Sequence, residues 1–378
     1  MAETLEIPNF SESMNRVKLI LAASFAMVLA NTFEAHAQYK YSNEFLAIGV
    51  GARALGMSNA CLASTADVTS GYWNPAGLLG VRSNMQVGLM HAEYFASIAK
   101  YDFGGVAAPI DSVSAFSVNI IRFGVDDIPN TTQLIDDGGN IDYDRITTFS
   151  AQDWAFLFSY ARKLNILGGL ETGGSFKIIR RKVGDFGGAW GFGLDAGANY
   201  KYKNWRFAGV LRDVTSTFNA WSFTLDDATK AVFLQTGNDI PENGLELTMP
   251  RMLLGGAREW EFGKNKQFSL LTELDLINTF DGKRNTLVKT GLWSMEPALG
   301  IEAGFKKIIF LRGGIGNIQK STDLVDGKSI TTMQPNIGLG LKLKQLHIDY
   351  ALTDIGDASV ALYSNIFSLK LDINKAPK

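Results

Sequence analysis

Apolar and polar positions alternate strictly over much of this chain. Between residues 191 and 202, Phe192, Leu194, Ala196, Ala198, Tyr200 and Tyr202 fall on one face. Gly193, Asp195, Gly197, Asn199 and Lys201 fall on the other. A period of two sustained over this length is a strand and not a helix. The pattern recurs at residues 299–306, 337–344, 346–352 and 367–372. Further strand candidates are 85–90, 103–108, 114–122, 154–162, 170–180, 205–212, 252–260, 267–276, 287–293 and 308–314. That makes about fifteen segments, and because bacterial barrels hold even numbers, about fourteen strands are expected.

A soluble β-sandwich also alternates, with its apolar face turned inward. Three features favour a transmembrane antiparallel β-barrel instead. The segments run to about ten residues, the length of a tilted spanning strand, whereas globular strands centre on about five or six. The polar face repeatedly combines Gly with a charge, which suits a crowded lumen. Aromatics such as Tyr200, Tyr202, Trp205, Tyr350, Tyr363 and Phe367 sit at segment ends, where a membrane interface would hold them.

The links between segments are uneven. Residues 163–165, 203–204, 263–265 and 306–307 read as tight turns, and 125–153, 222–250 and 317–335 as long links. Barrels of this kind have short periplasmic turns and longer external loops. The first long link is acidic, with Asp126, Asp127, Asp136, Asp137, Asp142, Asp144 and Asp153. Residues 136–140 lack the closing Glu of an EF-hand loop, so a solvated loop is expected and no metal. Within the second, Ala231-Val-Phe233-Leu234 is the most apolar stretch. Phe233 and Leu234, with Trp221 nearby, are the candidate contacts for a protein partner.

The chain ahead of the strands is different. Arg16 and Lys18 precede the apolar run 19–30, and Ala35-His36-Ala37 follows. Basic residues, a short apolar core and a small-x-small box make a secretory signal over residues 1–37, with Gln38 as the expected mature start. Glu3, Glu6 and Glu12 do not suit such a signal, so Met14 is the expected initiator. Residues 38–84 do not alternate and are rich in Gly and Ala. They include Arg53, Asn74-Pro75 and Gly77. Small residues permit close backbone packing, and Asn-Pro opens a turn. The segment reads either as a hatch inside the lumen or as an external cap of short helices. The barrel proper is expected over residues 85–378.

Composition sharpens this picture. Of 378 residues, 39 are Gly and 9 are Pro, against an ordinary Gly share of about 7%. The net charge of −2 gives no basic surface for nucleic acid. The single cysteine, Cys61, excludes an internal disulfide and a cysteine-built zinc site. There is no Gly-x-Ser-x-Gly, Walker loop or His-Glu-x-x-His. His347, Asp349 and Ser368 could meet across strands, but a lumen hydrogen-bond network is the better reading. Arg53, Arg212 and Asp213 are expected to belong to an ion network in the lumen, because buried charges need partners. No enzyme activity and no cofactor are expected.

Three blocks carry a family resemblance. The first is Phe45-Leu-Ala-Ile-Gly-Val-Gly-Ala-Arg-Ala-Leu-Gly-Met57, followed by Asp67 and Tyr72-Trp-Asn-Pro-Ala-Gly-Leu78. The second is Leu211-Arg-Asp-Val-Thr-Ser-Thr-Phe-Asn-Ala-Trp221. The third is Leu311-Arg-Gly-Gly-Ile-Gly316 with Gln334-Pro-Asn-Ile-Gly-Leu-Gly-Leu341 and Asp349-Tyr-Ala-Leu352. Together they resemble the PorV/PorQ family, which is related to FadL-type fatty-acid channels. The resemblance implies a FadL-like barrel of about fourteen strands with an N-terminal hatch, in the outer membrane of a Bacteroidetes bacterium. It further implies a part in type IX secretion: PorV-type shuttles bind the C-terminal signal domain of secreted substrates. The implied partners are outer-membrane lipid and secreted proteins or other components of that system. The rival expectation is a FadL-like channel for hydrophobic small molecules.

Overall fold

The computed structural model describes residues 41–135, 139–322, 329–353, 355 and 363–374. The leader over 1–37 and the acidic triplet Asp136-Asp137-Gly138 lie outside the described residues. In chain order the strands are β1 (Met85–Tyr94), β2 (Ala99–Pro109), β3 (Ser114–Asn130), β4 (Thr147–Lys163), β5 (Glu171–Val183) and β6 (Gly187–Tyr202). They continue with β7 (Trp205–Arg212), β8 (Thr217–Phe223), β9 (Gly244–Thr248), β10 (Arg251–Phe262), β11 (Phe268–Thr279) and β12 (Val288–Lys289). The last are β13 (Ser294–Phe305), β14 (Ile309–Thr322), β15 (Ser329–Leu343), β16 (Leu346–Thr353) and β17 (Ser364–Ile373).

These strands close into an antiparallel barrel of 14 strands. The wall runs from β1 through β7, steps to β10, β11 and β13, continues to β17, and β17 pairs back onto β1. Closure leaves no sheet edge, as a hydrocarbon surrounding requires. The other segments belong to the same wall or its fringe. β6 pairs with β7 over residues 196–202 and with β8 over residues 187–192, so β7 and β8 are two stretches of one interrupted strand. β9 pairs with β8 and leads into β10 in the same way. β12 is a two-residue fringe on β13. The expected strand over 287–293 is therefore not a wall strand: Thr290 to Trp293 closes a turn through its own backbone bond.

Burial separates membrane barrel from soluble sandwich. On β6 the apolar side is the exposed one, through Trp190, Phe192 and Leu194, while Asp195 and Asn199 on the other side are buried. The same inversion holds on β15 and β17, where Leu339 and Phe367 are each 56% exposed and Ser368 and Lys370 are buried. A sandwich in water would bury those apolar faces. An outward apolar band over a polar interior is what a bilayer-spanning barrel needs. No described helix is long and apolar enough to cross a membrane, which says nothing of strands. Leu339→Arg would present a charge to lipid, at a cost of ~2–4 kcal/mol if it sits near the midplane and less near an interface. Denaturant titration of the barrel in lipid vesicles checks this, and an unchanged midpoint would contradict a lipid-facing Leu339.

The long links are shorter than the alternation implied. β3 and β4 extend to Asn130 and Thr147, β14 to Thr322, and β15 starts at Ser329. The link after β8 contains a helix, Asp227–Gln235, capped at its start by the Asp226 carboxylate accepting the Thr229 N–H at 2.6 Å. Beyond the bilayer a strand need not show an apolar face, so the period-two signal fades while pairing persists.

The segment before β1 lies inside the barrel and not over its mouth. It forms short helical turns at Glu44–Leu46, Ala52–Gly56, Ser70–Trp73 and Pro75–Gly80. The Ala52–Gly56 turn packs against β15, β16 and β17, while Pro75–Gly80 packs against β4, β5 and β6. Wall glycines make room for it. The Gly56 backbone meets Gly338, Pro75 meets Gly173, and Met57 meets Gly300 and Gly314. This explains why the polar face of the strands was so rich in glycine.

Candidate functional site

The plugged lumen is the candidate site, and its chemistry starts where the wall grips the hatch. Glu273 and Asp275 stand two apart on β11 and so share a face. Both are 1% exposed. Asp275 Oδ2 accepts the backbone N–H groups of Cys61 (2.8 Å) and Leu62 (3.0 Å). Glu273 Oε1 accepts those of Ala63 (2.6 Å) and Ser64 (3.3 Å). Four consecutive amides that no helix or strand satisfies are thus satisfied by two side chains. Nearby, Asn74 uses both ends of its amide. Its Oδ1 accepts the Ala76 N–H at 3.1 Å, setting the turn into Pro75–Gly80, while its Nδ2 donates to Leu62 O at 3.2 Å and Asn199 Oδ1 at 2.6 Å. Asn74 and Pro75 therefore serve the hatch fold and its attachment to β6. Gly77 is held against the Thr65 carbonyl and Ser70, where a Cβ would not fit.

An ion network ties the Ala52–Gly56 turn to β13–β17. Arg53 Nε pairs with Glu302 at 2.9 Å, Glu302 also takes Arg312 at 2.6 Å, and Arg312 reaches Asp349 at 2.7 Å. Lys370 joins Asp67 of the hatch at 2.6 Å and lies 3.6 Å from Asp349. Arg312, Asp349 and Lys370 are buried and Arg53, Asp67 and Glu302 half-buried, and all are linked in alternating sign, which is the condition for holding them in the interior. Ala52 N–H adds a 2.7 Å bond to Ser368 Oγ.

A second cluster closes the interruption between β7 and β8. Asp213 and Ser216 both have positive φ, 55° and 57°, so the chain bulges there. Lys177 Nζ, from β5, bonds Asp195 at 2.8 Å and Asp213 at 2.6 Å, and the Asp213 N–H donates to Asp195 Oδ1 at 2.8 Å. Val214 N–H still reaches Leu194 O at 2.9 Å, which keeps the wall continuous. Arg212 and Asp213, adjacent in sequence, serve different partners. Arg212 donates to Tyr72 O at 3.1 Å and lies over the Tyr72 and Trp73 rings at 4.6 and 5.5 Å. Arg53 and Asp213 each join an ion pair in the lumen, but with other partners than one another. The bulge turns Asp213 toward Lys177, and Arg53 answers to Glu302. Lys177, Glu273, Asp275, Glu302 and Arg312 complete these networks. The sequence signal for Lys177, Glu302 and Arg312 was a lone charge on a glycine-bearing strand face, and for Glu273 and Asp275 two acids at a spacing of two.

Of the candidate partner contacts, Phe233 and Leu234 lie on the link helix, whereas Trp221 shares a face of β8 with the buried Thr217 and Asn219. Trp221 is half-buried on β8, its Nε1–H donating to Glu246 at 2.6 Å and its ring under Arg181 at 5.1 Å. Phe233 is half-buried on the helix Asp227–Gln235, and Leu234 is 66% exposed. His347 bonds Asp372 at 3.1 Å, whereas Ser368 serves Ala52. Those bonds build no Ser–His pair.

Three cavities bear on what the lumen can do. Two are about 20 Å³, one beside Lys370 and Asp67 and one beside Lys177 and Asp213. A third, of about 270 Å³, is lined by charged groups including Arg53, Glu302 and Lys370.

No family model matches this chain, and no curated protein does. Solved structures do. A structure titled CymD monoaromatic hydrocarbon channel is 13% identical, over 87% of this chain and 98% of its own, with a TM-score of 0.53. A P. putida toluene transporter, TodX, is 11% identical over 87% and 99%, with a TM-score of 0.50. The chain shares the barrel fold of these two structures. At such identities the likeness is one of fold.

Proposed function

We propose that this FadL-like barrel is a non-enzymatic outer-membrane protein whose external links hold a secreted protein at the cell surface. The observation that carries the reading is the filled lumen. Hatch and wall meet backbone to backbone at Gly338 and are joined by partly buried ion pairs. Two of the three cavities hold about 20 Å³, too little for a hydrocarbon, and the third is lined by charged groups. A site for hydrophobic small molecules is normally concave and mostly apolar. On the external links apolar side chains stand in the open instead: Ile135, Ile141, Tyr143, Leu234 and Leu292. Exposed apolar groups on loops are the raw material of protein interfaces. The PorV/PorQ resemblance supplies the client, the C-terminal signal domain of a type IX substrate.

A second reading, passage of hydrophobic small molecules, has its own support. The similar structures carry the titles of a hydrocarbon channel and a toluene transporter, and the comparisons weigh toward this reading. The interruption at residues 213–216 is a place where the wall has fewer strand bonds to lose. One experiment separates the two. Phe233→Ala with Leu234→Ala should cut co-purification of secreted proteins from solubilised outer membrane severalfold, with barrel assembly intact. If a variant lacking residues 224–243 still captures those proteins, and the intact protein takes up toluene or long-chain fatty acid, the transport reading replaces the first.

A further inference from the structure

The cavity of about 270 Å³ has a charge surplus that nothing above uses. It opens at the short-turn end of the barrel. Lys342 and His347 flank the turn between β15 and β16, and Ser83 and Asp372 stand beside the start of β1 and the end of β17. Five basic Lys and Arg side chains line it against four carboxylates. At its floor every charge is spoken for, since Arg53, Arg312 and Lys370 are bonded to Glu302, Asp349 and Asp67. At its mouth Asp372 is taken by His347 at 3.1 Å and by Ser83 and Gln86 at 3.0 and 2.7 Å. Arg82, exposed, and Lys342, half-buried, have no carboxylate partner among the described residues.

This cationic surplus stands in a protein whose net charge is −2. A concave polar site with low-dielectric walls focuses the field of unmatched charges and concentrates ions of the opposite sign. Guanidinium and ammonium groups together favour a compact oxyanion, the guanidinium offering a planar fork and the ammonium a point charge. The paired floor resists collapse of the two free cations onto an internal carboxylate. We infer that this cavity binds a small oxyanion, a carboxylate or phosphate group, entering from the short-turn side between Arg82 and Lys342.

The test is isothermal titration calorimetry of the full-length barrel in detergent at low ionic strength. Sodium acetate and inorganic phosphate are titrated separately. Wild-type protein should show saturable binding of at least one. The tighter of the two names the source, a carboxylate-bearing or a phosphate-bearing molecule. Arg82→Gln with Lys342→Gln should weaken binding at least tenfold, and Arg82→Gln alone, at an exposed position that cannot unsettle the fold, at least threefold. Lys344→Gln, on the same turn but outside the cavity, should bind as wild type does. Absence of saturable binding to either anion by wild-type protein would overturn the inference. So would equal binding by Arg82→Gln and the double variant.

Discussion

Gly314→Leu is expected to lift the hatch from the wall while leaving the barrel closed. A Cβ at Gly314 would overlap the Met57 carbonyl and the Ser58 amide. These are backbone atoms of the hatch and cannot rotate away. Overpacking ordinarily costs ~1–3 kcal/mol, and relief is easier for a hatch of short turns than for a strand paired on both sides. Cys61 reports the result without any added label site. It is the only cysteine and is 1% exposed, and burial first, then the Glu273 and Asp275 carboxylates, push its thiol well above the usual range. Because the thiolate is the reactive species, wild-type protein should resist a maleimide, and Gly314→Leu should react at least tenfold faster. Single-channel conductance in planar bilayers should rise with it. Gly209 is the control, having no heavy atom nearer than 3.9 Å to a Cβ. Gly209→Ala should leave Cys61 protected. Equal labelling of Gly314→Leu and wild type, with unchanged conductance, would refute a hatch seated on the wall at Met57.

Lys177→Met is expected to be the most destabilising single change in the wall. Lys177 is 3% exposed and is the shared cation of Asp195 and Asp213. Removing it leaves two carboxylates facing one another at the interruption between β7 and β8. Breaking a buried pair by deleting one partner typically costs ~3–5 kcal/mol, whereas replacing all members by neutral groups is often tolerated. Lys177→Met with Asp195→Asn and Asp213→Asn should therefore recover most of the loss. Urea unfolding in lipid vesicles measures both. If the triple variant is no more stable than the single one, the cluster owes its role to packing and not to charge.

The sequence made the wall legible and the lumen only partly so. Residues such as Phe192, Leu194, Leu339 and Leu341 announce themselves because lipid demands an unbroken apolar face on every spanning strand. The bounds of β7 could be read almost to the residue, since tight turns and a bulge delimit it. The outer stretches of β3, β4, β14 and β15 could not, because nothing apolar surrounds them. Residues 287–293 were a strand candidate that did not join the wall, because a short segment with Lys289, Thr290 and Gly291 at its centre carries too little pattern to place. Within the lumen, Arg53 and Asp213 were legible as charges that needed partners. Their partners were not, because Glu302 stands far along the chain from Arg53, and Lys177 meets Asp213 only across the intervening strand β6. Whether the hatch plugged the lumen or capped it was open for the same reason: small residues pack closely against any backbone, and the glycines that receive them belong to other strands.

The seam of the barrel has a consequence for its assembly. The wall closes where the last strand, β17, pairs with the first, β1. The hatch precedes β1, yet it bonds the last strand through Ala52 to Ser368, 316 residues apart, and through Asp67 to Lys370. Contacts so distant along the chain form late and slowly. A finished ring offers no opening wide enough to thread a folded plug, so the hatch must already be enclosed when the seam is sealed. The final strand then finds two partners at once, the edge of β1 and the waiting plug, and the stopper becomes a template for the vessel around it.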